Sequence, residues 1–429
     1  MKTLIVTLFT LSLAFTGCRE TTGPLVDTRF TDSLLTHYQP SAFEKMISQD
    51  LAFWKTRLAG EPGSYTALSR YSGDLVQRFH LYGDIQDLLT ADSITNLLND
   101  INHGEDAGTW RSKAALDITR HRFKEADNFV QKALSIGSEK YTSTLMSFDT
   151  RFELGSYTLA GQALKNCAAT NEYGYFFRLS KWMHLQGETD SAIYYMKQAA
   201  NWSGNSSYLL QTANSNLGDL YMHEGSLAKA AVLYRDNLQK NAADYHSLLG
   251  LGKIALMNDD NPAAAERIFR FIAAKNALPD PYYFIEWVAE QKGDTALQKQ
   301  YARTYVEKTQ NSHYGGMYHK YQIELYTGIL HNPEKALELA RDEIHNRATP
   351  QTYTWLVWAL HKSGKDAEAM QVYKAHVSGK PLEALELFWI GKMMRDLGKN
   401  YNAEAFFKAA YKNRFDLSPE KQKELQDYL

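Results

Sequence analysis

Two consecutive stretches between residues 211 and 278 superpose at an offset of 34. Leu217-Gly218 recurs as Leu251-Gly252, Ala230 as Ala264, and Leu238 as Ile272. Tyr221, Gly225 and Tyr234 fill the first copy, so an apolar stripe, a turn glycine and a second apolar stripe follow one another. A unit of this length is a helix–turn–helix that cannot bury its apolar face alone and must stack on further copies.

The small residue of each second helix extends the register along the chain. It falls at Ala126, Ala160, Ala192, Ala230, Ala264, Gln298, Ala336, Ala369 and Ala403, with gaps of 34, 32, 38, 34, 34, 38, 33 and 34. The two long gaps predict four-residue inserts, near residues 205–208 and 313–316, both polar or glycine-containing. Glycines at 155, 187, 225, 293, 364 and 398 mark turns within the units, where a left-handed residue ends the first helix.

The pattern L-G-x-x-Y, a turn glycine, then A-x-x-x-Y resembles the tetratricopeptide repeat (TPR). The resemblance covers roughly residues 107–415 and implies an all-α, right-handed superhelical solenoid of about nine TPR-like helix pairs. Residues 41–106 read as an N-terminal helical cap with one degenerate repeat, in which Leu75, Phe79, Gly83 and Leu88 keep the spacing without the small residue. Residues 416–429 read as a C-terminal capping helix, begun by Ser418-Pro419-Glu420.

The N-terminus carries a different signal. Lys2 precedes a short apolar run from Leu4 to Phe15, the plan of a secretory signal too short to span a bilayer. Phe15-Thr16-Gly17-Cys18 resembles the lipobox of bacterial lipoproteins, departing from it in having Phe15 where leucine is usual. That resemblance implies a signal peptide over 1–17 and lipidation of Cys18; residues 18–40, with Thr21, Thr22, Gly23, Pro24 and Pro40 and little helical periodicity, read as a flexible tether. The lipobox resemblance also implies anchorage to the envelope by acyl chains. Arg19, not aspartate, follows the cysteine, which by the sorting rule of that family favours the outer membrane over the inner and leaves the leaflet open. Asp32-Ser33-Leu34 resembles the O-glycan site of exported Bacteroidota proteins.

The sequence has two cysteines, Cys18 and Cys167, and lipidation of Cys18 would rule out a disulfide within the chain, so burial alone must hold the fold. Losing Lys2 leaves 46 basic against 49 acidic residues, too balanced for an electrostatic nucleic-acid binder. HExxH, zinc-spaced His/Cys clusters, Gly-x-Ser-x-Gly, a P-loop and the dinucleotide fingerprint are all missing from the sequence. No cofactor, metal or catalysis is expected.

In TPR proteins the first helix of each pair lines a concave face that holds peptides or partner helices. Projected onto this chain, the resemblance assigns that face to Phe177 and Lys181; Asp219, Met222 and His223; and Lys253 and Leu256. Tyr283, Trp287 and Glu290 follow, then Tyr318 and Tyr321, Trp358 and His361, and Phe388, Lys392 and Arg395. Tyr and Trp dominate binding hot spots, which suggests a protein- or peptide-binding groove from Tyr283 to Arg395. Alternatively these rings pack between helices. The carboxylate clamp known in some TPR proteins does not transfer, because Ser215 and Asp219 stand between Lys181 and Lys253.

Two rival functions remain open at this point. Some glycan- or solute-binding outer-membrane lipoproteins use TPR-like helices, although their inserted loops are longer than the four-residue inserts here. An enzyme would need a pocket in the cap, with Trp54, Arg57, Arg78 and Asp84 as its polar residues.

Overall fold

The computed structural model describes residues 23–168, 172–398 and 401–429. Cys18 and the lipobox lie outside them. Among the described residues there is no strand, and no helix is long and apolar enough to cross a membrane. The chain is an all-α superhelical repeat. Four N-terminal helices come first: α1 (Thr28–Thr36), α2 (Ala42–Gly60), α3 (Tyr65–Tyr82) and α4 (Ile85–Ile101).

Nine pairs follow. They are α5/α6 (Ala107–Thr119, Phe123–Ile136), α7/α8 (Lys140–Glu153, Tyr157–Asn166) and α9/α10 (Tyr173–Leu185, Thr189–Asn201). Next are α11/α12 (Ser207–Glu224, Leu227–Lys240), α13/α14 (Tyr245–Met257, Pro262–Lys275) and α15/α16 (Asp280–Gln291, Thr295–Thr309). The last three are α17/α18 (His319–Thr327, Pro333–Asn346), α19/α20 (Pro350–Lys362, Asp366–Val372) and α21/α22 (Ala384–Asp396, Ala403–Lys412). A π turn, Tyr373–Val377, prolongs α20, and α23 (Pro419–Gln426) ends the chain.

Local chemistry explains where the second helices begin. The side chains of Asn261, Asp294, Asn332 and Asn402 each accept the backbone N–H three residues on, satisfying a donor that the first turn leaves open. Pro262 and Pro333 stand in the first turn, where no N–H is needed. All but one of the register's alanines are buried at the helix crossings: Ala126, Ala160, Ala192, Ala230, Ala336 and Ala369 fully and Ala264 nearly so, while Ala403 is partly buried. Gln298, the register position without an alanine, turns its amide to Glu286 of the facing helix (Nε2 to Oε1 2.8 Å). In the cap, Leu88 takes the alanine position and is itself fully buried.

The glycines of the first helices make room for rings. A Cβ on Gly218 would lie 2.5 Å from one edge of the Tyr234 ring, and a Cβ on Gly250 would lie 2.4 Å from the other. Gly252 gives Phe269 the same clearance, and Gly391 gives it to Phe407. The repeat period therefore encodes a lock: a bare backbone on one helix receives an aromatic from the next.

The superhelix closes on itself. Roughly every 200 residues the chain returns to lie against its earlier coil. Tyr38 meets Tyr245 (3.4 Å), Asn276 Nδ2 donates to the Leu81 carbonyl (3.1 Å), Asn346 Nδ2 to the His121 carbonyl (2.7 Å), and Arg347 to Glu153 (2.8 Å). The 313–316 insert has a task here: Gly315, at φ 59°, presses against the Arg120 carbonyl, 2.2 Å from where a Cβ would sit. Only glycine meets both demands.

From residue 23 onward the stretch read as a flexible tether is instead folded against the body. Backbone N–H groups of Leu25 and Val26 donate to the Asp259 carboxylate (both 2.9 Å), and Arg267 pairs with Asp32 (3.0 and 3.1 Å). Val26 is buried, α1 packs on α14, and Ser33 stands exposed on α1. The turn Asp259-Asp260-Asn261 thus caps α14 through Asn261 and receives the N-terminal segment through Asp259.

Candidate functional site

The first helices face inward, and closure of the coil turns their concave side into a cavity of about 490 Å³. Its wall takes Phe177, Lys181 and His184 from α9, Asp219 and His223 from α11, and Lys253 from α13. Tyr283, Phe284 and Trp287 come from α15, and Lys320, Tyr321 and Glu324 from α17. The last side is the chain's own end: Glu383 and Leu385 at the start of α21, then Asp416, Leu417, Ser418 and Lys421.

Charge in this wall is largely paired. Lys181 donates to Glu153 (2.7 Å), Lys320 reaches the fully buried Glu386 (2.9 Å), and Lys421 reaches Glu324 (2.9 Å). Burial works against the Glu153 charge, but Lys181 and Arg347 outweigh it and hold the carboxyl down at about 2. Asp219 accepts from Tyr234 Oη (2.5 Å) and from His246 (2.7 Å), which keep it below the usual carboxylate range despite burial. His223 Nδ1 donates to Asp416 (2.7 Å), tying α11 to the C-terminal segment, and Asn413 Nδ2 donates to the His223 carbonyl (2.9 Å).

Two groups in the wall are unspent. Lys253 has no carboxylate within ion-pair distance among the described residues; its ammonium stands 5.8 Å from the Phe284 ring centroid. Trp287 is 4% exposed, and its indole N–H has no hydrogen-bond acceptor among the described residues. Tyr283 lies between Trp287 and Tyr321 (centroids 5.4 and 4.6 Å) and donates to Glu324 (2.5 Å by separation).

The sequence-predicted face therefore divides. Phe177, Lys181, Lys253, Tyr283, Trp287 and Tyr321 converge on the cavity, as do Asp219 and His223. Met222 and Leu256 are core. The groove expected to run on to Arg395 is filled. Tyr318 is buried among Tyr305 and Tyr314; Trp358 stacks on Trp389 (5.7 Å, 4°) and donates to Thr327 (2.9 Å). Phe388 is buried against Phe407 and Tyr428, Lys392 pairs with Glu424 (2.5 Å), and Arg395 lies 4.0 Å from the Tyr428 ring centroid. Over α21 the cause is the C-terminal segment, since Glu424 of α23 and Tyr428 fold back onto Phe388, Lys392 and Arg395; Tyr318 and Trp358 are covered by side chains of neighbouring segments.

The cap residues do not come together. Arg78 is held by Asp87 (2.8 and 2.5 Å), Asp84 caps α4, Arg57 pairs with Glu61, and Trp54 lies against Phe53. Sequence reasoning missed His184, Lys320, Glu324, Glu383, Asp416 and Lys421. His184 was within reach, being seven residues after Phe177 on the same helix face. The C-terminal residues carried no local signal, because only closure of the coil brings them in.

No family model matches the chain, and no curated protein matches it. Solved structures do. The chain is similar to the Cut9–Hcn1 hetero-tetramer of the APC/C (TM-score 0.50, 13% identity), over 80% of this chain and 61% of that one. A tetratricopeptide repeat protein from Parabacteroides merdae ATCC 43184 aligns over 60% of this chain and 98% of that one, at 17% identity and a TM-score of 0.35. Human IFIT1, in a dimer with PPP-AAAA, aligns over 72% and 71% at 13% identity and a TM-score of 0.47. At these identities the likeness concerns the TPR-like fold alone.

Proposed function

We propose that this TPR-like superhelix is a non-catalytic scaffold of the cell envelope, anchored through acyl chains on Cys18, that holds a short segment of a partner polypeptide in its central cavity. The observation that carries the reading is the pair of unspent groups in the wall, the Lys253 ammonium and the Trp287 N–H, set among aromatic faces. A ligand supplying a carboxylate or carbonyl oxygen and an apolar side chain would satisfy both. Paired charges on Lys181, Lys320 and Lys421 leave little field for a polyanion, which supports a polypeptide over nucleic acid.

A cavity of about 490 Å³ admits a few residues, not a domain. The same volume suits a small solute, which keeps the second reading, a glycan- or solute-binding lipoprotein.

Lys253 is half-buried and makes no ion pair among the described residues, although its charge helps hold Asp219 ionised; Lys253→Glu reverses that charge, and its unfolding midpoint is measured beside the native protein's to check that the fold survives. Affinity purification from gently cross-linked envelopes is expected to recover a partner with the native protein and to lose it, about tenfold or more, with Lys253→Glu. Equal recovery would remove the cavity from the proposal; no partner with either protein, together with saturable sugar binding by calorimetry, would favour the solute reading. Anchorage has its own assay. Fatty-acid label is expected on the native chain and not on Cys18→Ser, and label retained on the variant would sink the lipoprotein assignment.

A further inference from the structure

One corner of the cavity gathers donors that the sequence keeps far apart. His184 on α9, His223 on α11 and Glu383 at the start of α21 are 39 and 160 residues apart along the chain, so no spacing motif announces them. A ring nitrogen from each histidine and a carboxylate oxygen of Glu383 all lie within 4.8 Å of one another. The two imidazoles meet edge to face with centroids 4.6 Å apart, and Glu383 Oε2 stands 4.0 Å from His223 Nδ1. Asp416 accepts from that same Nδ1 at 2.7 Å.

We propose that His184, His223 and Glu383 bind a single zinc ion, with Asp416 fixing the ring of His223. Two imidazoles and a carboxylate are a donor set that zinc takes, at about 2.0–2.2 Å from each atom. Donors around such an ion stand roughly 3.4 Å apart in a tetrahedron, so the three side chains need to draw in by about 1 Å. All three are part-buried, which leaves room for side-chain adjustment, with the ring of His223 turning about its hydrogen bond to Asp416. A carboxylate on the second nitrogen of a ligating histidine fixes its tautomer and raises its basicity, which is the part Asp416 is placed to play. Since Nδ1 is engaged by Asp416, Nε2 is the nitrogen left to His223 as a ligand, and it must come within ligating reach of Glu383, whose Oε2 stands 4.0 Å from Nδ1. The three ligands leave a fourth position to water or to an oxygen or nitrogen of whatever occupies the cavity.

The donors also span the coil. His184 and His223 belong to the middle of the chain, while Glu383 and Asp416 belong to its last coil. Bound zinc would rivet the C-terminal segment onto the wall it covers, and binding to the folded state alone would raise stability as zinc rises above its dissociation constant.

Competition for zinc against a chromogenic chelator tests this with the purified protein. One equivalent is expected at micromolar affinity or tighter, lowered at least tenfold in His184→Ala and in Glu383→Gln. It should stay intact in His313→Ala, an exposed histidine outside the cluster. Zinc should also raise the unfolding midpoint of the native protein and of His313→Ala, but not of the two ligand variants. Should a variant fail to fold, cobalt bound to the native protein decides: the strong visible bands of a four-coordinate site support the proposal, and weak six-coordinate bands overturn it. No binding by the native protein, or binding unaltered in His184→Ala, also overturns it.

Discussion

Gly250→Ala is expected to cost about 2–3 kcal/mol of stability, although alanine is the better helix former by about 1 kcal/mol. The added methyl would lie 2.4 Å from Cε2 of Tyr234, and the ring has little room to retreat, because on its other edge it packs so close to the Gly218 backbone that a Cβ there would lie 2.5 Å away. Tyr234 is fully buried, and its hydroxyl is held by Asp219. Overpacking therefore defeats propensity. Chemical denaturation followed by helical circular dichroism measures the loss. In a Tyr234→Leu background, where the ring is gone, the same substitution should cost less than about 1 kcal/mol or stabilise. A Gly250→Ala protein as stable as the parent would show that the two helices can part to admit a methyl group.

Glu386→Gln should be nearly as damaging. Glu386 is fully buried, accepts the Trp355 indole N–H (2.8 Å) and faces the Lys320 ammonium (2.9 Å). Burial opposes the Lys320 charge, yet Glu386 holds its pKa above the ordinary lysine value. Glutamine keeps an acceptor for Trp355 but removes the charge, leaving a largely enclosed ammonium without its ion-pair partner and with only the more distant Glu383 carboxylate in its field. A cost of about 2–3 kcal/mol is expected. Adding Lys320→Met should recover most of it, since removing both charges spares the penalty of one left alone. Should the double variant be no better than Glu386→Gln, the loss would come from packing around Trp355, not from the orphaned charge.

The repeat was legible because its determinants are local. A glycine and the ring it accommodates are 16 or 17 residues apart, and an alanine recurs at each crossing; both facts lie within one unit or its neighbour. The inner half of the concave face was legible for the same reason: helical period and repeat register together place Phe177, Lys181, Lys253, Tyr283, Trp287 and Tyr321. The coil's closure was not legible. Asp259 receives Leu25 and Val26 from more than 230 residues away, and His223 receives Asp416 across 193. Such pairs leave no periodic trace in a single sequence. Residues 23–40 therefore read as a loose tether. Phe388, Lys392 and Arg395 read as a vacant groove for a related reason, the segment that fills it being the C-terminal one, while Trp358 is covered by Trp389 and Thr327 of neighbouring helices.

Open solenoids are nearly one-dimensional objects: each repeat senses only its neighbours, and the ends can fray while the middle stands. Here Arg347–Glu153, Asn346–His121 and His223–Asp416 couple residues about 200 apart. The molecule behaves less like a spring than like a coil whose successive windings are bolted together. Stretching it, or letting one end melt, must first break bonds in a winding that is otherwise intact. Its repeats consequently share their fate, unfolding as larger blocks than nearest-neighbour coupling alone would produce. The same long-range closures raise its contact order, so it should assemble more slowly than an open array of equal length.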